Sequence, residues 1–251
     1  LAGKKTTSAA KADAAKRMAW LSRLSPRRPS RRLVLLVAAA ILCLPVLLTI
    51  LYAVVPPVSM LMLGRYVTGL WVERDWEPLE NISPHLIRSV VASEDGRFCE
   101  HAGVDWDALS TQIEALGDGD APRGASTLTM QLAKNLFLWN GRSYVRKGLE
   151  IPLALVIDAT LPKRRIIELY LNVAEWGEGI FGAEAAAQAW FGKSAKELTA
   201  SQASLLATAL PSPLTRNPAR PSAGHRRLAR INFSRARALD GHVDCIFGDK
   251  N

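Results

Sequence analysis

Cysteine and histidine are scarce in this 251-residue chain, at three and four. No two of them recur at the short spacing that holds zinc, which argues against a metal-organised fold. Cys43 falls inside an apolar run, leaving Cys99 and Cys245. Two thiols so far apart cannot be paired from sequence, so Cys99 is expected to be free and to behave as a small hydrophobe. Alternating apolar and polar runs are few, so a parallel sheet is not expected. No internal repeat is present. Acid is nearly missing from residues 1–32, where ten Lys or Arg stand against Asp13 alone. The whole net charge of +9 therefore sits in this tail, and the rest of the chain is neutral.

The tail runs into residues 33–55, an uncharged apolar stretch from Leu33 to Val55. As a helix at about 1.5 Å per residue it is roughly 34 Å long, enough for a hydrocarbon core of about 30 Å. Pro45 is tolerated in a membrane helix, and Pro56-Pro57 make a natural stop. A cleavable signal peptide needs a shorter apolar region and a small-residue cleavage site, and Val54 to Val58 offers no good one. The expectation is an uncleaved single-pass anchor, with the basic tail cytoplasmic and the rest of the chain on the other side of the membrane. The basic cluster then needs no nucleic-acid partner, since topology and anionic lipid account for it.

Residues 56–80 read as a juxtamembrane connector, 81–220 as a helical domain and 221–251 as an amphipathic or partly disordered tail. Ser83-Pro84 caps a helix whose Leu86, Ile87, Val90 and Val91 share a face before Glu94. Trp106, Leu109, Ile113 and Leu116 form a second stripe, ended by the flexible composition of residues 117–122. Ser126 caps a third helix through Leu128, Leu132 and Leu136. Arg142 to Ala159 is a fourth, kinked at Pro152, and Pro162 opens a fifth. Gly182 to Phe191 is short and alanine-rich. Thr199 and Gln202 have capping-box spacing for the next, which Pro211 and Pro213 stop. About 170 residues from Asn81 onward suffice for one buried core.

Three look-alike motifs lack their context. Gly177 to Gly182 fits the dinucleotide glycine pattern but comes after a helix. Asp105-x-Asp107 and Asp118-x-Asp120 imitate a metal-binding pair, yet one opens a helix, where acids are favoured, and the other lies in a loop. Ser8-x-x-Lys11 lies in the basic tail without a Lys-Thr-Gly partner.

Three blocks carry chemistry. Glu94-Asp95-Gly-Arg-Phe98-Cys-Glu-His101-Ala-Gly103 puts an acid behind an apolar face, where desolvation lifts a carboxyl toward the range useful to a general base. Gly124-Ala-Ser126-Thr127-Leu-Thr-Met130-Gln131-Leu-Ala-Lys134-Asn135 is a polar block. In Arg146-Lys147-Gly-Leu-Glu150, Lys147 and Glu150 share a helical face. Arg123, Lys134, Arg142, Arg146 and Lys147 together offer positive charge for a departing phosphate. Ordinary surface ion pairs, worth little, are the plainer alternative for any one of them.

In order, these blocks resemble those of the peptidoglycan glycosyltransferases, glycosyltransferase family 51, and the resemblance extends over about residues 80–220. It implies a mainly α, lysozyme-like glycosyltransferase domain preceded by a single transmembrane helix. It further implies polymerisation of lipid II, for peptidoglycan and cell-wall biogenesis, by inverting displacement of undecaprenyl pyrophosphate to give a β-1,4 bond. By the same resemblance Glu94 is the base and Glu150 the second acid. Asp95, Phe98, His101, Arg123, Ser126, Thr127, Gln131, Lys134, Asn135, Arg146 and Lys147 contact substrate. Two positions depart from the pattern: Met130 replaces the first of a Gln-Gln pair, and Gln202 stands where Glu is usual. The end at Asn251 without a second domain suggests the monofunctional form, without a transpeptidase. Lipid II, the growing glycan strand, the membrane, and cell-wall synthesis or division proteins are the implied partners. No cofactor is required, though magnesium or manganese could bridge the pyrophosphate to the carboxylates. A lytic transglycosylase or lysozyme-type hydrolase needs no pyrophosphate-binding cations, and a decayed assembly protein has no need of both acids.

Overall fold

The computed structural model describes residues 30–117, 124–141, 143–239 and 241–248. Among them are eleven α-helices and three very short strands. Helix α1, Arg31–Tyr52, is the apolar stretch, with mean hydropathy 3.0 over its most apolar window. It ends three residues before the expected limit, in a turn ahead of Pro56. Most of the basic tail lies outside the described residues, as do Arg123, Arg142 and the pair Asp118 and Asp120.

The residues expected as a connector hold helix α2, Met60–Val67, and strand β1, Glu73–Arg74. Met62 on α2 is fully buried. Strand β1 pairs in parallel with β3, Ile180–Phe181, which returns antiparallel to β2, Glu175–Gly177. The only parallel pairing among the described residues is this ladder of two residue pairs, within a small mixed sheet. The dinucleotide look-alike is the β2–β3 hairpin together with Gly182. This glycine has φ +92°, and a Cβ there would come within 3.2 Å of the carbonyls of Asn172 and Asp75, which is why the position takes glycine.

Helix α3, Pro84–Glu94, starts where expected: Ser83 accepts from the His85 N–H, and proline fills the first turn. Its apolar face, Leu86, Ile87, Val90 and Val91, is buried. Helix α4, Trp106–Gly117, forms, but its stripe does not build the core, since Trp106 and Ile113 are exposed and Leu109 packs only partly. Helix α5, Leu128–Phe137, is capped by Thr127, which accepts from the Met130 N–H, and not by Ser126 as expected. Helix α6, Tyr144–Thr160, takes its cap from Ser143 and carries Pro152 inside it. Helix α7, Lys163–Val173, begins after Pro162 and is buried along much of its length.

Helix α8, Ala183–Phe191, is the alanine-rich one, and α9, Ala200–Ala209, has the Thr199–Gln202 capping box in full. In this chain Gln202, a departure from the family pattern, serves the helix terminus. The region expected as a tail forms α10, Ala223–Ala238, and the single turn α11, Asp244–Phe247. Helix α10 is amphipathic, and it packs on both α3 and α9. Its inward face places Ala229, Asn232 and Ala236 in the interior, and Asn232 donates to the carbonyl of Ser89. Cys99 and Cys245 form a disulfide, which corrects the free-thiol expectation and ties α11 to the loop after α3.

Candidate active site

Glu94 is the last residue of α3 and lines a cavity of about 580 Å³. Each carboxylate oxygen accepts one hydrogen bond, Oε1 from the Ser93 hydroxyl at 3.1 Å and Oε2 from Gln131 Nε2 at 3.0 Å. Burial pushes this carboxyl above the usual range, and only in part do the two donors and the charges of Lys134 and Arg216 hold it down. A carboxyl raised by desolvation that still faces a cavity fits a general base.

Gln131 is oriented from behind, its Oε1 accepting from the Tyr170 hydroxyl at 3.0 Å. Tyr170 is buried, and its own pKa is raised well above normal by burial and then by the Glu94 charge. The phenol stays protonated and donates. Tyr170 and Arg216 lie outside the three chemistry-bearing blocks and yet act on Glu94. By sequence Tyr170 reads as core, and Arg216 carries no local signal.

The second carboxylate, Glu150, is buried on α6 between two cations of its own helix. Arg146 donates to Oε1, and Lys147 Nζ to Oε2 at 2.7 Å. Lys147 Nζ also donates to Ser126 Oγ at 2.5 Å, and Ser126 lines the cavity of Glu94. Lys134, on α5, stands between the two acids electrostatically. Burial lowers its pKa, the charge of Glu150 and more weakly that of Glu94 raise it, and Arg146 and Lys147 lower it. The structure therefore assembles Glu94, Gln131, Lys134, Ser126, Arg146, Lys147 and Glu150 around one region.

Other expected contact residues turn inward. Phe98 has no exposed surface, and the Lys163 ammonium sits 4.6 Å from its ring centroid. His101 Nε2 meets the Asp95 carboxylate at 3.0 and 3.1 Å, and the Asp95 Oδ2 also accepts from the Leu128 N–H at 2.9 Å. That bond ties the end of α3 to the start of α5, beside Glu94. Thr127 is buried too, donating to the Gly103 carbonyl at 2.6 Å. Gly103 has φ +79°, and a Cβ there would lie 2.7 Å from the Ala154 carbonyl on α6. Phe98 and His101 thus spend their side chains on other protein groups, whereas Thr127, though mostly buried, also lines the cavity of Glu94. Asn135 and Met130 are likewise buried on α5, so Met130 adds apolar core and no cleft surface. Asp105 caps the start of α4 through the Ala108 N–H and pairs with Arg97.

Among the described residues no group of three or more His, Cys, Asp or Glu side chains is arranged for a metal ion. The carboxylates nearest the reaction region already accept from cationic or amide donors.

Comparison with known proteins gives one consistent result. Residues 63–236 match the family model described as Transglycosylase. A protein of Brucella suis named biosynthetic peptidoglycan transglycosylase is 54% identical over 214 residues, 84% of this chain and 95% of the relative. One of the same name from Rhodopseudomonas palustris is 57% identical over 210 residues, 83% and 89% of the two chains. Another, from Rhizobium meliloti, is 47% identical over 230 residues, 91% and 98% of the two.

Proposed function

This chain belongs to the transglycosylase family, a lysozyme-like peptidoglycan glycosyltransferase by its domain and relatives, and from that premise we propose that it polymerises lipid II with Glu94 as the general base. The observation that carries the reading is the pairing of a desolvated, cavity-facing Glu94 with a cation group beyond it, Lys134, Arg146 and Lys147.

In the proposed step the 4-hydroxyl of the acceptor GlcNAc lies against Glu94, which takes its proton as the oxygen attacks C1 of the donor MurNAc. The C1–O bond to undecaprenyl pyrophosphate breaks with inversion, and a β-1,4 link forms. Negative charge gathers on the departing pyrophosphate, which Lys134, Arg146 and Lys147 stabilise. Preorganised charge of this kind is usually a large share of the rate. Glu150 holds Arg146 and Lys147 in position from a buried site. We assign Asp95 to fixing the α3–α5 junction and Ser126 to carrying Lys147 to the cavity wall.

The step uses no resident cofactor, the cations doing what a metal would do at the pyrophosphate. Running the reaction with chelator, and with added magnesium or manganese, tests that assignment. We further propose that α1 anchors the chain in the inner membrane, the domain facing the periplasm. The Cys99–Cys245 disulfide supports that side, since disulfides persist in oxidising compartments. The growing strand, the membrane, and cell-wall synthesis or division proteins are then its partners.

The deciding experiment gives purified full-length protein lipid II on one hand and finished glycan on the other. Polymer from lipid II with loss of pyrophosphate-lipid is expected. Cleavage of finished glycan alone would make the protein a lytic enzyme, and no reaction with either would make it an assembly protein.

A further inference from the structure

Two arginines outside the three chemistry-bearing blocks line the cavities that adjoin Glu94. Arg216 lies in the segment between α9 and α10, donates to the Thr208 carbonyl and acts on the Glu94 charge. Arg235 comes from the last turn of α10. It is exposed and forms no hydrogen bond or ion pair with another described residue.

Both line a cavity of about 270 Å³, and its described lining includes no acid. The larger cavity that Glu94 lines shares Ala92, Ser93 and Arg235 with it. Ser93 is also the residue whose hydroxyl donates to Glu94. The smaller cavity is thus a branch adjoining the base, with two positive charges left uncompensated by its own walls. Arg97, on the larger cavity, differs, because Glu100, Asp105 and Asp107 neutralise it. Arginine presents a planar fork of donors suited to a carboxylate or a phosphate.

We propose that Arg216 and Arg235 form an anion subsite for the acceptor. The inference rests on the lipid II reading above. With the acceptor hydroxyl at Glu94, an anionic group of the same molecule enters the side cavity, either a phosphate of its pyrophosphate or a carboxylate of its peptide. The donor pyrophosphate is held by a different set, Lys134, Arg146 and Lys147. Separate cation sets give the site a way to tell the molecule that attacks from the one that departs.

Elongation of a preformed lipid-linked glycan by added lipid II separates donor from acceptor in the assay. Losing a charge-assisted contact, Arg235→Gln in the full chain should raise the acceptor concentration for half-maximal rate about ten-fold. The rate at saturating acceptor should stay near the parent's, and Arg235→Lys should recover part of the loss. With an acceptor whose peptide carboxylates are amidated, the Arg235→Gln penalty vanishes if a carboxylate is the ligand and persists if a phosphate is. Unchanged acceptor dependence, or a loss confined to the saturating rate, overturns the subsite.

Calorimetric titration of the Glu94→Gln chain with inorganic pyrophosphate and with the free stem peptide reads the subsite without turnover. One of the two should bind about ten-fold more weakly once Arg235→Gln is added, and equal binding of both overturns the proposal. A parent that fails to polymerise lipid II while this titration keeps its Arg235 dependence sinks the function reading and leaves the subsite standing.

Discussion

Gln131 donates through Nε2 to Glu94 Oε2 at 3.0 Å, a bond between residues 37 apart in the chain, and its other amide end is fixed by Tyr170. The Glu94 carboxyl is therefore tuned by α5 and α7 as well as by the helix that bears it. Gln131→Leu removes a donor that opposes burial, so the Glu94 carboxyl should climb further. The acidic limb of the pH–rate profile should move to higher pH, and Tyr170→Phe should move it the same way by less. A limb that stays in place in both variants would take Glu94 out of the titration that controls the rate.

Glu94→Gln should lower polymerisation by about 10²- to 10⁴-fold, the range for lost general-base catalysis, with lipid II binding retained. It should also be more stable than the parent at neutral pH. The folded Glu94 pKa lies above its ordinary value of 4.5. Its contribution is then fully present below that value and lost as pH rises through the folded pKa. The stability gap should open across that window and be absent at more acid pH. Chemical unfolding over a pH series measures it.

The Lys147–Glu150 pair separates catalysis from folding. The Lys147 side chain is 38% exposed and that of Glu150 only 3%. Lys147→Ala should lower stability by about 1 kcal/mol or less, as for an exposed pair, yet reduce turnover of pyrophosphate-bearing donor strongly. Glu150→Ala leaves two cations without their buried acid and should destabilise by about 3 kcal/mol. Turnover and thermal unfolding on the same preparations give both numbers. Kinetics untouched by Lys147→Ala would move the leaving-group site toward Lys134 and Arg123.

The disulfide closes a loop with a sequence separation of 146. A loop of that length should contribute up to about 5 kcal/mol by restricting the unfolded chain. The Cys99→Ser/Cys245→Ser variant should melt well below the parent, and reductant should shift the parent toward it. Coincident melting curves would mean that the bond does not constrain the unfolded state.

A reporter fused after residue 250 should be active only when exported. Activity of that fusion confined to the cytoplasm would reverse the proposed topology.

The caps at Ser83 and Thr199, the apolar span and the pairing of Glu150 with Lys147 were readable because each depends on residues within a turn or two of one another. Ser83-Pro84, the Thr199–Gln202 box, and Glu150 three residues after Lys147 are set by local backbone geometry and side-chain reach. Burial is not local. Asp95, Phe98 and His101 have the same identities and spacing whether they meet a substrate or other protein groups, and only the contacts of the segment after α3 with the starts of α5 and α7 give them protein partners. Likewise the Cys99–Cys245 bond, the Gln131–Tyr170 support of Glu94 and the placing of Arg216 and Arg235 on one cavity join residues distant in sequence. Helix α10 could be read as an amphipathic stretch, but its polar face became a cavity wall only once its apolar face had found α3 and α9. Sequence by itself determined which groups are available for chemistry. Tertiary structure decided which of them face the cavity, because desolvation and charge proximity act through space and not along the chain.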